Sequence, residues 1–134
     1  MKSYFLKVAA LFIVPVSISL AAATCNNATI KGRYARLAYG TQVNNESFNT
    51  VGTIVFDGNG RLTGSGVEIV NGAASEYISE GTYLVLKDCS VKIDESTSSA
   101  GPNPQFGMLA NGGKKIFAIL SESGRNFSLI YEKQ

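Results

Sequence analysis

The 134-residue chain has no histidine, no tryptophan, two cysteines and three prolines. Without histidine, Ser-His-Asp and Cys-His catalysis are excluded in their usual forms, as are most zinc sites. The absence of tryptophan removes the commonest platform for stacking on sugars, leaving that role to tyrosine. Two cysteines alone do not hold a metal, so no metal and no cofactor is expected. An excess of charge is missing as well. The formal net charge of +2 vanishes if the N-terminal segment carrying Lys2 and Lys7 is removed, since 10 basic residues then face 10 acidic ones. A neutral chain with scattered charges has no electrostatic footprint for nucleic acid or an anionic membrane.

That N-terminal segment reads as an address. Lys2 and Lys7 form a basic start, Val8–Leu20 is an apolar run too short to span a bilayer, and Ala21-Ala22-Ala23 offers a cleavage site. Residues 1–23 are expected to be a cleaved signal peptide, leaving residues 24–134 as one secreted or periplasmic domain with no stable membrane anchor. Thr24 stands where a lipidation signal wants Gly, Ala or Ser, so Cys25 is expected to pair with Cys89. Two cysteines in an exported chain usually pair.

Beyond residue 23 no helical period emerges. Thr50–Gly66 (TVGTIVFDGNGRLTGSG) is strand, tight turn, strand: Thr53, Ile54, Val55 and Phe56 suit a pleated surface, and Asp57-Gly58-Asn59-Gly60 supplies two glycines free to take positive φ. Further strand candidates are Gly32–Tyr39, the run through Val70, Ser75–Leu86, the segment holding Val91 and Ile93, Gln105–Ala110, Lys115–Leu120 and Asn126–Tyr131. Asn71-Gly72, Asn111-Gly112-Gly113 and Glu122-Ser123-Gly124 mark turns between them, and Gly40–Asn49 and Ser96–Pro104 read as the long loops. About eight antiparallel strands in a meander are expected, with an up-and-down, calycin-like barrel preferred over a two-sheet sandwich.

Motifs that carry chemistry are scarce. Asp57-Gly58-Asn59-Gly60 fails as a calcium loop at Arg61 and Leu62, and the glycines at 58, 60, 64 and 66 precede no helix, so a phosphate loop is excluded. Glu68, Glu76 and Glu80 lie on neighbouring arms but are expected on the solvated surface, as are Asp94 and Glu95. The triplets at Asn27, Asn45 and Asn126 match a glycosylation pattern that matters only in a eukaryotic source.

Aromatic residues offer the clearer choice. Tyr34, Tyr77, Tyr83, Phe106, Phe127 and Tyr131 sit in strands, most of them expected to fill the interior with hydroxyls partnered near the barrel ends. The alternative is a pocket for a small apolar or aromatic ligand, with Tyr34, Arg36, Tyr77, Tyr83, Phe106 and Tyr131 as candidate lining. Of Arg33 and Arg36, one is expected to point inward toward a carboxylate or an anion.

Three segments resemble a group of small exported bacterial β-barrel-like proteins. Cys25–Tyr34 (CNNATIKGRY) is similar to their cysteine, A-T and G-x-Y opening. Val51–Gly60 (VGTIVFDGNG) matches a V-G-x-x-x-F-D-G-x-G hairpin, and Gly81–Cys89 (GTYLVLKDC) a G-x-Y-x-V-x-x-D-C element. The resemblance implies an exported barrel-like domain with a Cys25–Cys89 bridge, and it implies no activity. In outline the architecture is similar to calycin and allene-oxide-cyclase-like barrels, without a cyclase site motif. The expected function is a non-enzymatic binding or interaction domain for an unidentified macromolecule, its loops the variable parts. A carrier of a small apolar ligand is the alternative, and a carboxylate- or tyrosine-based enzyme comes third. Monomer and homo-oligomer both remain open.

Overall fold

A computed structural model of the chain describes residues 24–99 and 101–134. The expected signal peptide, residues 1–23, lies outside them. Eight strands form a closed barrel in sequence order: β1 (Gly32–Thr41), β2 (Ser47–Phe56), β3 (Arg61–Val70), β4 (Ala73–Val85), β5 (Ser90–Thr97), β6 (Gly101–Ala110), β7 (Lys115–Leu120) and β8 (Asn126–Lys133). Every neighbour is antiparallel, and β1 closes the ring on β8 with Arg36 opposite Tyr131. The all-β, up-and-down barrel expected from the strand pattern is the observed fold, and the sandwich is not.

Local chemistry explains the hairpins. The Asp57 carboxylate accepts the N–H groups of Asn59 (2.7 Å) and Arg61 (3.0 Å), which fastens the β2–β3 turn. Asn71 and Gly72 both take positive φ, 47° and 85°, as a two-residue turn of the hairpin type demands. The long loops shrink. β1 runs on to Thr41 and β2 begins at Ser47, while β5 reaches Thr97 and β6 starts at Gly101, so half of 40–49 and most of 96–104 is strand. Pro102 and Pro104 are tolerated because that part of β6 outruns β7: the β6–β7 pairing begins only at Gln105.

The two barrel ends differ. At the closed end a 3-10 turn, Asn27–Ile30, folds under the barrel and inserts Ile30, which is completely buried. Asn26 caps the turn, the Asn27 side chain accepts the Val85 N–H at 2.8 Å, and the Cys25–Cys89 disulfide ties the segment to the β4–β5 connection. At the other, open end lie the β1–β2, β3–β4, β5–β6 and β7–β8 connections.

Candidate functional site

Inward-facing residues divide the interior into two halves. The closed half is an aromatic plug. Phe56 stands edge-on to Tyr34 at 5.3 Å, to Tyr83 at 5.0 Å and to Tyr131 at 6.0 Å between ring centroids. The Tyr34 hydroxyl donates to the Gly113 carbonyl at 2.5 Å. Tyr83 accepts the Gly58 N–H at 2.8 Å and donates to the Asn27 carbonyl at 3.3 Å. Burial, with Tyr83 nearby, pushes the Tyr34 phenol up to about 12. The Tyr83 phenol is likewise raised, first by burial.

The open half is polar. Arg36, 5% exposed, bonds Glu95 Oε1 at 2.5 Å through Nη1 and the Tyr77 hydroxyl through Nη2, with its guanidinium 4.9 Å from the Tyr77 ring centre. Gln105 Nε2 donates to the other Glu95 oxygen at 2.9 Å, and the Tyr131 hydroxyl donates to Gln105 Oε1 at 2.6 Å. Burial opposes the Arg36 charge, yet Glu95 and the Tyr131 and Tyr77 hydroxyls hold its pKa above the ordinary arginine value. Burial, then Glu95, raises the Tyr131 phenol. Above this network is a cavity of about 30 Å³, bordered by Arg36, Glu68, Tyr77, Glu95, Phe48 and Phe127 among others. It has room for a water molecule or two and falls far below the several hundred Å³ of a usual ligand pocket.

Of the six candidate lining residues, Arg36, Tyr77 and Tyr131 come together in the Glu95 network, Arg36 and Tyr77 bordering the cavity. Tyr34 and Tyr83 belong to the plug. Phe106 is a correction: it lies on the outer wall, 48% exposed. On β6 the inward positions are Asn103, Gln105 and Leu109, so the apolar set Phe106, Met108 and Ala110 is the solvent face. Two acids are corrected in the opposite sense. Glu95, expected in solvent, is 3% exposed, and Glu68 is 7% exposed, whereas Glu76, Glu80 and Asp94 do face solvent. Alternation contained the signal for Glu95, which follows Val91 and Ile93 on one face of β5. Gln105 escapes any reading that turns Phe106 and Met108 inward, because it alternates with them.

The outer wall has its own pattern. Strand register sets Met108, Phe117, Ile130, Leu37, Val51 and Val67 side by side, an unbroken apolar row across β6, β7, β8, β1, β2 and β3. A second row, Phe106, Ile119, Ser128 and Tyr39, adjoins it. Asn49 and Ser47 flank this belt toward the open end, and Lys115, Glu132 and Thr53 toward the closed end. A spanning barrel needs an apolar band about 25 Å tall, and two rows fall well short of it. Among the described residues no helix is long and apolar enough to cross a membrane.

No family model and no curated protein matches the chain. Among solved structures it is similar to designed β-barrels. A redesigned β-barrel, mFAP0, bound to DFHBI, matches with a TM-score of 0.55 at 11% identity over 78% of this chain and 99% of that one. A fluorescence-activating β-barrel designed de novo gives 0.53 at 11% identity over 78% and 93%. Another redesigned barrel gives 0.56 at 13% identity over 87% and 98%. At such identities the likeness shows a shared fold and nothing more.

Proposed function

We propose that residues 24–134 form an exported, secreted or periplasmic, non-enzymatic interaction domain whose working surface is the outer wall of β6, β7, β8 and β1. The observation that carries this reading is the apolar belt. Leu37, Tyr39, Phe106, Met108, Phe117 and Ile119 are each 43–60% exposed. Side by side in the strand register they form one contiguous apolar patch, where an ordinary monomer surface scatters such residues singly. The occupant that fits is a second copy of the chain. A stable interface buries about 800 Å² per partner, which calls for a face several strands wide such as this one. With 10 basic and 10 acidic residues in 24–134, two copies do not repel. Closure leaves no strand edge free, so copies have to meet through their faces.

Export is supported by the basic and apolar start of the sequence, by the disulfide and by the resemblance of the Cys25–Tyr34, Val51–Gly60 and Gly81–Cys89 segments to exported proteins. Against an enzyme stands the engagement of the acids. Glu95 has both oxygens taken by Arg36 and Gln105, which leaves Glu68 without the second working carboxyl a glycosidase-type pair requires. The carrier reading narrows to the open half, since Tyr34, Tyr83 and Phe56 fill the rest. That a barrel of this shape is bound to DFHBI supports interior binding as something the shape permits.

Sedimentation velocity on the oxidised exported protein tests the main reading. Wild type is expected to sediment as a dimer at tens of micromolar, and Phe117→Lys with Ile119→Lys as a monomer with an unchanged circular dichroism spectrum. A wild-type monomer throughout that range would overturn it.

A further inference from the structure

Charge in the open half does not balance. Arg36 is matched by Glu95, and Arg125 by Glu122 on the rim at 2.6 Å. Glu68 is left over. It is nearly buried, its one side-chain bond comes from the Ser75 hydroxyl at 3.1 Å, and among the described residues no lysine or arginine pairs with it. A buried acid without a counter-cation is costly. Nearby, Arg36 Nε is buried and has no acceptor. Both residues border the same cavity.

Around these polar groups the walls are apolar. Phe48 and Phe127 stack at 4.4 Å between centroids with their planes 26° apart. Arg125 lies 5.1 Å from the Phe127 ring centre and is held by Gln42 at 3.0 Å and by Glu122. The stacked pair and Arg125 thus cover the cavity from the β1–β2 and β7–β8 side. Swinging the Phe127 ring out frees a space on the order of one benzene molecule.

From this geometry we infer that the open half of the barrel binds a small organic cation, an aromatic ring carrying a primary ammonium group. The ammonium supplies the cation that Glu68 lacks. The ring takes the place of Phe127 against Phe48, and Tyr77 offers a second aromatic face nearby. An acceptor atom on the ligand, or one retained water, meets Arg36 Nε. Anions are disfavoured, because the two cations that border the cavity with Glu68 and Glu95 are both already paired, Arg36 with Glu95 and Arg125 with Glu122. The site is independent of the outer wall, so a monomeric protein leaves it standing.

Three probes that share a ring test it: benzylamine, benzyl alcohol and benzoate, titrated by amide NMR into the oxidised exported protein. Benzylamine is expected to shift the resonances of Thr50, Glu68 and Tyr77 and to bind about tenfold or more tightly than benzyl alcohol, a difference of about 1.4 kcal/mol, with benzoate inert. Phe127→Ala, which removes the cover, is expected to bind benzylamine more tightly than wild type. Glu68→Gln is expected to abolish the preference for the amine over the alcohol. Benzoate binding as well as benzylamine would overturn the proposal. So would an amine preference that survives Glu68→Gln, or the failure of all three probes to bind both wild type and Phe127→Ala.

Discussion

Arg36 shows how one residue sets the character of half the interior. Its charge is bearable inside a barrel because Glu95 neutralises it, and Glu95 in turn is satisfied by Gln105. Breaking such a pair strands the remaining partner, whereas replacing both leaves nothing charged behind. Arg36→Met alone is therefore expected to cost about 3–5 kcal/mol, and Arg36→Met with Glu95→Gln clearly less than the sum of the two single changes. Urea unfolding of the four proteins measures that difference. The tyrosines give a pH effect at the same scale. Burial lifts the Tyr34 phenol from the ordinary tyrosine value of 10.0 up to about 12 in the folded protein, and Tyr83 and Tyr131 are raised too. The unfolded chain gives up these protons first, so their stabilisation is whole below about pH 10 and drains away as pH climbs toward about 12. Thermal melts across that window are expected to fall steeply, with tyrosinate absorbance appearing together with unfolding.

Among the elements, the row Arg36, Gly52, Gly66, Tyr77 runs across β1 to β4. Its two glycines leave the floor on which the Tyr77 side chain lies to reach Arg36. A Cβ at Gly66 would run into the Val51 carbonyl oxygen and sit 2.6 Å from the Tyr77 hydroxyl. Gly66→Ala is expected to destabilise by about 3 kcal/mol, the upper range for overpacking, read from a urea midpoint shifted at constant slope. The same strands mark where local reading works. β2 and β3 are legible as a hairpin because Asp57-Gly58-Asn59-Gly60 dictates its own geometry. β6 is not, because Gly101–Ala110 carries, apart from Leu109, small or polar residues on one face and Phe106 and Met108 on the other. Apolar content alone then chooses the wrong side. Glu95 is obscured by the breaker-rich run following it, although Val91 and Ile93 already fix its face.

For the whole molecule, the disulfide joins the N-terminal turn to a connection 64 positions away. It holds Ile30 beneath the closed end, where the barrel would otherwise open its aromatic plug to water. The chain-entropy model assigns a loop of that length about 4 kcal/mol. Cys25→Ser with Cys89→Ser is accordingly expected to lower stability by that order in urea unfolding while keeping the barrel's circular dichroism spectrum.

By itself the sequence determined what is decided locally: turns from Asn-Gly and Asp-Gly pairs, strands from two-residue alternation, an all-β fold from the absence of any helical period. With only two cysteines, it also named the bridge. The tertiary structure decided which face of each strand is inside. A two-residue period is symmetric until closure and register break the symmetry, as Gly81 opposite Glu95 and Gln105 opposite Ile93 do here. It also decided the meeting of Arg36 with Glu95, 59 positions apart, and the isolation of Glu68. Both depend on where distant strands come to rest around one axis, and no local pattern records that.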